Sequence, residues 1–301
     1  MTHASFTVAA PTSETFLRAI ELRPVTAQHA DEAYEASTQY VPWPKSYGGD
    51  MVAQAAAAMM RSVDTDRTLH SMHSYFMRPA EIGATVRYEV ERLRDGRGYS
   101  TRSVRGYQNG KPVFTALGSF HVREEGPDYQ PESPADVDPE SLRSAAEVLA
   151  GTEGAASEYW AAGRSFDMRH VPGPLYVSVE GGTRAHQAVW IKAFSALPDR
   201  AVDKASADLH RVALAYVCDY TILEPILRVK NLHWSSPGLT TASLDHSMWF
   251  HRDGRADDWV LYAQKALSAQ NSRGLALGRF FDRQGRLLAT VAQEGMIRHT
   301  S

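Results

Sequence analysis

A carboxylate, a hydroxyl and an amide interrupt or end apolar segments in the second half of this sequence. Asp219 follows the run VALAYVC, Ser243 lies in TTASLD, and Gln293 ends LLATVAQ. A carboxylate among apolar residues is costly to ionise, so Asp219 is either a candidate general base or a turn residue that reaches solvent. Ser243 is equally consistent with an ordinary strand hydroxyl. Gln293 is equally consistent with a strand end that reaches water.

The register of the segment TTASLD leaves a second candidate for the hydroxyl. Residues two apart in a strand share a face, so Thr241, Ser243 and Asp245 would point in one direction. Thr241 is therefore the alternative if the register differs by two residues.

The histidines do not form catalytic or metal-binding pairs by spacing. His70 and His73 are three residues apart, and His246 and His251 are five apart, so in predicted strands each pair points to opposite faces. We expect all four side chains to be satisfied internally or exposed. The sequence also contains no H-E-x-x-H helix and no G-x-S-x-G elbow, so no metal ion and no serine nucleophile of that type are predicted.

Three further features favour structural roles. Cys218 is the single cysteine, which excludes an internal disulfide, and its apolar setting predicts a small buried residue. Gly96 and Gly98 lack the third glycine of a dinucleotide-binding loop, so no cofactor is predicted. Asp50, in YGGDM, is expected to be a first-turn helix carboxylate that could border a substrate tunnel.

Composition and charge narrow the class of protein. The 301 residues are enough for two ordinary cores, and 43% hydrophobic with 22% charged residues is typical of a globular protein. A net charge of −3 without a Lys/Arg run argues against a nucleic-acid partner. The apolar stretches are too short to span a membrane, and the first residues lack signal-peptide features, so a cytoplasmic location is expected.

The chain repeats itself at an offset of 174 positions. HSYFMRP at 73–79 is echoed by SMWFHRD at 247–253, and Tyr88 and Leu93 recur as Tyr262 and Leu267. Two hairpin turns, Asn109-Gly110 and Gln284-Gly285, follow in the same order with an offset of 175, which indicates one inserted residue. The sequence therefore predicts two copies of one fold unit.

Each copy is predicted to contain a strand, a helix and several antiparallel strands. The first strands are expected at 20–25 and 166–171, and the helices at 48–63 and 207–220. The first helix is small on nearly every side because of Ala53 and Ala55 to Ala58, and a helix that is apolar all round is usually buried. An antiparallel sheet wrapped around such a helix predicts an α+β double hotdog.

The acidic, proline-containing segment EEGPDYQPESPADVDPE separates the two copies. Its composition is typical of a linker that crosses the surface. The expected organisation is an N-terminal hotdog over 1–125, a linker over 126–164 with a short helix around Leu142–Leu149, and a C-terminal hotdog over 165–301.

Taken together, motifs from both halves resemble the acyl-CoA thioesterase II family. These motifs are YGGDMVAQA, HSYFMRP, LRDGRGYSTR, QNGKPVF, LDHSMWFHR and VAQEGMIRH. The resemblance implies that Asp219, Ser243 and Gln293 are the catalytic residues, with Ser243 standing where the family has a threonine. It also implies an acyl-CoA substrate, free fatty acid and CoA as products, and water activated by the aspartate without a metal or covalent intermediate.

Two other functions are consistent with the same sequence. The chain could be a fatty-acyl-CoA binding or sensing module that kept the fold without turnover, or a hotdog hydratase. A hydratase usually needs a histidine paired with a carboxylate, and His210 lies nine residues from Asp219. Hotdog units usually pair through their sheets, so a homo-oligomer, a dimer or tetramer, is expected. No nucleic-acid or membrane partner is expected.

Overall fold

The computed structural model describes residues 12–134, 137–197 and 204–300, and the side chains of residues 204–207 are outside this description. Within these residues the strands form one antiparallel sheet that curves around helices. The helices are α1 (Glu14–Ala19), α2 (Gly48–Arg61), α3 (Ala145–Val148), α4 (Ala155–Glu158), α5 (Lys204–Val217) and α6 (Glu224–Val229). The strands of the first half are β1 (Arg23–Val25), β2 (Glu32–Ser37), β3 (Arg67–Phe76), β4 (Thr85–Asp95), β5 (Tyr99–Gln108) and β6 (Lys111–Val122). Those of the second half are β7 (Phe166–His170), β8 (His186–Ala193), β9 (Leu239–Ser243), β10 (Asp245–Phe250), β11 (Val260–Gln270), β12 (Arg273–Asp282) and β13 (Leu287–His299).

Strand order confirms the repeat. The sheet runs β1-β2-β4-β5-β6-β3 and then β10-β13-β12-β11-β8-β7, with β9 paired to β13. The two halves join where β3 pairs antiparallel with β10, and His73 lies opposite Ser247 there. These two residues are equivalent in the repeat, so a pseudo-twofold axis relating the halves passes through this pair. The predicted double hotdog is confirmed.

Irregularities in the ladders recur at equivalent positions. A bulge skips Leu93 in β4 and its repeat equivalent Leu267 in β11. Bulges near the hairpin turns skip Val113 in β6 and Leu288 in β13, which are 175 positions apart. The offset therefore changes from 174 to 175 between the two bulges of the second half, and the inserted residue lies there. The first turn has positive φ at both Asn109 (50°) and Gly110 (70°), as a type I′ hairpin requires.

The central helices of the two halves differ from the sequence expectation. α2 packs inside the first sheet against β2 to β6, and 11 of its 14 residues are buried. Its counterpart is α6, which packs against β8, β11 and β12, whereas α5 packs against α2. The expected equivalence of 48–63 with 207–220 is therefore wrong. It failed because α5 has the same apolar character, although it lies between the two halves rather than within one sheet.

The segment between the halves crosses the outer face of the second sheet. It contains the short helix expected near Leu142–Leu149, observed as α3. The indole N–H of Trp190 donates to the Val137 carbonyl at 3.1 Å, and that of Trp259 donates to the Glu140 carboxylate at 2.9 Å. Beneath it lies a small apolar cluster, separate from the main core, made of Trp190, Trp259, Leu261, Phe281 and Leu287.

Candidate active site

Asp219 lies at the boundary between the two halves. α5 ends at Val217, so Asp219 occupies the turn that precedes α6 and keeps part of its surface accessible. The backbone N–H of Gly48, the first residue of α2, lies beside this carboxylate and lowers its pKa. A helix N-terminus carries unsatisfied N–H groups and partial positive charge, which favours a carboxylate there. The first half thus supplies the anion-stabilising end of a helix to a residue of the second half.

Position 48 requires a glycine for a steric reason. A Cβ atom at this position would lie 2.5 Å from Oδ2 of Asp219 and 3.0 Å from the ring of Phe76. Side-chain carbon atoms do not approach other heavy atoms this closely, so glycine is required for the contact between α2 and the carboxylate.

Ser243 and Gln293 lie on adjacent strands beside Asp219. Ser243 ends β9, which pairs with β13, and Gln293 is fully buried within β13. The Ser243 hydroxyl donates to Oδ1 of Asp219 at 2.7 Å. The amide nitrogen Nε2 of Gln293 donates to the same Oδ1 at 2.5 Å and to Oγ of Ser243 at 3.1 Å. Residues separated by up to 74 positions therefore form one hydrogen-bonded cluster, the candidate triad.

The donors and acceptors of the triad determine which of its groups remain available. The amide nitrogen Nε2 of Gln293 donates to both Asp219 and Ser243. The Ser243 oxygen uses its proton and one lone pair in the cluster, which leaves one lone pair for another donor. Asp219 retains acceptor capacity on Oδ2. A water molecule could therefore bind between Ser243 and Asp219 without breaking any contact.

The pKa of Asp219 reflects opposing effects. Burial raises it above its ordinary value, and the hydrogen bonds from Gln293 and Ser243 lower it in part, because they favour the ionised form. The cation of Lys45 and the N–H of Gly48 act in the same direction as those donors. The result is a carboxylate that is more basic than one in water, as a general base requires.

Lys45 reaches the site from the first half of the chain. Its ammonium donates to the backbone carbonyl of Thr241, two residues before Ser243. Burial lowers the pKa of Lys45, and the negative charge of Asp219 partly offsets that effect. Lys45 therefore connects β9 to the first half and places a positive charge near the carboxylate.

The first half has no equivalent of the triad. The positions that correspond to Asp219, Ser243 and Gln293 are occupied by Lys45, Leu69 and Gly118. The ladder register supports this correspondence, because His73 pairs with Leu117 as Ser247 pairs with Ala292. The repeat therefore carries the polar cluster in its second copy alone.

A fourth polar residue, His246, extends the cluster inward. Its Nδ1 lies 2.9 Å from Oε1 of Gln293, and its side chain is fully buried in β10. Burial lowers the pKa of His246 to about 4, so the ring is neutral at physiological pH. Its spacing from His251 gave no sign of this role, because the contact with Gln293 depends on strand pairing.

The first-turn carboxylates of the two central helices have different environments. Glu224 of α6 is the repeat equivalent of Asp50, and it accepts hydrogen bonds from His170 (3.1 Å), Gln187 (2.5 Å) and Trp234 (2.9 Å). Although burial would raise it, these contacts hold the pKa of Glu224 below its ordinary value. Asp50 is fully buried and accepts from the N–H of Gln39 at 2.8 Å. Within the described part of the chain its Oδ1 has no hydrogen-bond partner.

Burial raises the pKa of Asp50 to about 7, and the charge of Asp219 adds to this effect. Asp50 was expected in the first turn of a helix, and it lies there. That expectation did not extend to its burial or to its unpaired oxygen.

The remaining sequence candidates lie outside the triad. His70 contacts the hydroxyl of Ser119 at 2.8 Å, and the exposed His73 and His251 contact Ser247 and Thr290. His210 accepts a hydrogen bond from the N–H of Ala256, away from Asp219. The structure brings Ser243, rather than Thr241, to the carboxylate. Cys218 is buried, as predicted.

Metal-binding clusters and membrane-spanning helices are both missing from the described ranges. Across residues 12–134, 137–197 and 204–300, no group of three or more His, Cys, Asp or Glu side chains is arranged to hold a metal ion. In the same ranges, no helix has the length and apolar character needed to cross a bilayer.

The fold and the triad define a double-hotdog protein that carries a hydrogen-bonded polar triad in its second copy. Residues 39–121 match the family described as acyl-CoA thioesterase N-terminal domain, and residues 162–296 match the acyl-CoA thioesterase family. Acyl-CoA thioesterase 2 of Haemophilus influenzae is 32% identical, over 89% of this chain and 93% of that protein. The chain belongs to the acyl-CoA thioesterase II family and is an enzyme of the thioester hydrolase class.

Solved structures agree with this assignment. The acyl-CoA thioesterase II TesB2 of Mycobacterium marinum superposes with a TM-score of 0.74 at 32% identity, covering 95% of this chain and 97% of that one. A hot dog protein from Alicyclobacillus acidocaldarius has the same TM-score at 17% identity, covering 95% of this chain and 98% of that one. The second similarity concerns the fold alone.

Proposed function

We propose that this enzyme hydrolyses fatty acyl-CoA to a free fatty acid and CoA, with Asp219 as the general base. The observation that carries the proposal is the convergence of the Ser243 hydroxyl and the Gln293 amide on one oxygen of Asp219. Family membership supports the substrate class. The reaction belongs to the second hotdog, and the first hotdog contributes Gly48 and Lys45.

In the proposed first step a water molecule lies between Ser243 and Asp219. It donates one O–H to the Ser243 oxygen, which still has a free lone pair, and the other to Oδ2 of Asp219. As the water oxygen attacks the thioester carbonyl carbon, Asp219 takes the proton. General base catalysis of this kind contributes roughly 10²–10⁴-fold.

Gln293 and Ser243 have distinct parts in this step. Because its amide nitrogen donates to both Asp219 and Ser243, Gln293 holds the carboxylate and the hydroxyl in position. Together these donors keep Asp219 ionised despite its burial, so that it can accept a proton.

In the second step the tetrahedral intermediate collapses. The C–S bond breaks and the electron pair leaves with sulfur, giving the carboxylic acid and the thiolate of CoA. The thiolate takes up the proton that Asp219 accepted in the first step, which restores the ionised carboxylate. A thiol with a pKa of about 8.5 is a good leaving group, so the step needs no strong acid. Neither a metal ion nor a covalent enzyme intermediate is part of the proposed route.

The proposal is tested by measuring thiol release from acyl-CoAs of two to eighteen carbons with the wild-type chain and with Gln293→Ala. We expect turnover with at least one chain length, and a decrease in kcat larger than any change in KM for the variant. Binding of acyl-CoA without thiol release above background would show a binding module instead. A change confined to KM would assign Gln293 to substrate binding.

A further inference from the structure

The side-chain amide of Gln293 must be oriented in one direction for the triad to form. Asp219 is an acceptor when ionised, so the amide NH₂ group has to face it and the carbonyl oxygen has to point away. With the opposite orientation, Oε1 of Gln293 would lie against the carboxylate oxygen at the 2.5 Å contact and repel it. Some other group must therefore bind Oε1 on the far side.

His246 is the group on that side. Its Nδ1 lies 2.9 Å from Oε1 of Gln293. Since an amide oxygen only accepts, Nδ1 must carry the ring proton and donate it. Nε2 then holds the lone pair. The Cys218 sulfur lies 3.7 Å from Nε2 and 3.9 Å from Nδ1, and its thiol donates to the Ala215 carbonyl at 3.0 Å. The contact between Nδ1 and Oε1 fixes both the tautomer of His246 and the orientation of the Gln293 amide.

The repeat supplies an internal comparison. The positions equivalent to His246 and Gln293 in the first half are Met72 and Gly118, which pair with each other in β3 and β6. In that half the Cβ position of Gly118 is approached within 2.8 Å by Met59, and no acidic residue stands where Asp219 would be. The histidine and the glutamine therefore occur together, in the copy that has the carboxylate.

We propose that His246 is a positioning residue for the hydrolytic reaction, which holds the Gln293 amide with its NH₂ group toward Asp219 and Ser243. The inference rests on the proposed roles of these three residues. His246 is two contacts away from the carboxylate and, being fully buried, does not itself meet the substrate's reacting atoms. Its loss would allow the amide to rotate and would leave a buried carbonyl oxygen unpaired.

Three substitutions separate a donor requirement from a packing requirement. In His246→Asn the side-chain nitrogen falls near the position of Nδ1 and can donate to Oε1. In His246→Gln the nitrogen falls near the position of Nε2 and cannot replace that donor. His246→Leu fills space without a donor. Each variant is made alone and with Gln293→Ala, and kcat, KM and the melting temperature are measured with decanoyl-CoA or the chain length that the wild type hydrolyses fastest.

We expect His246→Asn to keep kcat within a few-fold of wild type. His246→Gln and His246→Leu should lower kcat roughly 10- to 100-fold with little change in KM, as expected for a lost buried hydrogen bond that orients a catalytic group. With Gln293→Ala present, none of the three should lower kcat further, because the group that His246 positions is gone.

Several outcomes would overturn the inference. Wild-type kcat in a folded His246→Leu variant would do so, and so would equal losses in His246→Asn and His246→Gln. An undiminished effect of His246→Leu in the Gln293→Ala background would show a structural role that does not involve Gln293. If Gln293→Ala alone retains wild-type kcat, the proposed role of the triad fails together with that of His246. If Gln293→Ala loses kcat while a folded His246→Leu variant keeps it, only the role of His246 fails. If His246→Leu does not fold, the comparison of the Asn variant with the Gln variant still decides between the two roles.

Discussion

Lys45 and Asp219 occupy the same position of the internal repeat, and the Lys45 cation lies near enough to lower the pKa of the Asp219 carboxyl. The second copy of the repeat thus supplies the carboxylate, and the first copy supplies a cation near it. The Lys45 ammonium also holds the carbonyl of Thr241 in β9. The two copies of the repeat thus carry different residues at this position, and both residues contribute to the same site.

Replacing Lys45 by Met should raise the pKa of Asp219, because the cation favours the ionised carboxylate. The proposed mechanism requires that form, so the acidic limb of the profile of kcat/KM against pH should move to higher pH. Lys111→Met, at an exposed hairpin position, is the control and should leave the profile unchanged. An unchanged acidic limb in the Lys45 variant would show that the charge does not act on the base.

Asp219→Asn should lower kcat by roughly 10²-fold or more, since an amide cannot take the proton of water. The same change should maintain or raise the melting temperature at neutral pH. Asp219 has a pKa raised by burial, so its ionised form destabilises the fold above that pKa, and the cost disappears as pH falls through it. A variant with near wild-type kcat would remove Asp219 from the mechanism, and thermal unfolding reports the stability.

Gly48→Ala should reduce kcat strongly, because the new Cβ would stand 2.5 Å from Oδ2 of Asp219 and push α2 away from the carboxylate. Gly98→Ala is the matched control, since no heavy atom lies within 4 Å of the Cβ position there. Steady-state kinetics of both variants provide the comparison. Equal activities would mean that the helix end can move without disturbing the base.

Ser243→Thr should be tolerated or should raise kcat a few-fold if the added methyl fits. A threonine in a strand has a restricted χ1, so its hydroxyl is aimed at lower entropic cost than that of serine, an effect of about 0.5–1.5 kcal/mol. Ser243→Ala should cost far more, because Asp219 and the water lose a donor and an acceptor. Thr241→Ala is the register control. If Ser243→Ala keeps wild-type kcat while Thr241→Ala is inactive, the hydroxyl that acts with Asp219 is that of Thr241.

Asp50→Asn should stabilise the protein in a pH-dependent way. The pKa of Asp50 is raised to about 7, so its ionised form opposes folding fully above pH 7, and the penalty fades as the pH falls through that value. We expect a larger increase in melting temperature at pH 8.5 than at pH 5.5, about 2–4 °C for each kcal/mol recovered. The exposed Asp64→Asn variant is the control. An equal increase at both pH values would contradict the assignment.

The sequence alone determined the features that depend on local pattern and on repetition. The offset of 174 between equivalent residues predicted two copies of one unit, and Asn109-Gly110 predicted a hairpin with positive φ, because few other residues adopt that backbone conformation. The small side chains of α2 predicted a buried central helix. The motifs predicted the family, and with it the three residues of the triad.

Tertiary structure decided which residues meet across the sheet and across the two halves. Periodicity did not distinguish α5 from α6 as the second central helix, because both are apolar and the difference lies in which surface each one covers. The contacts of Gly48 and Lys45 with the site, and that of His246 with Gln293, join segments between 47 and 196 residues apart. Such contacts follow from strand register and from the pseudo-twofold axis, and neither has a signature in the local sequence.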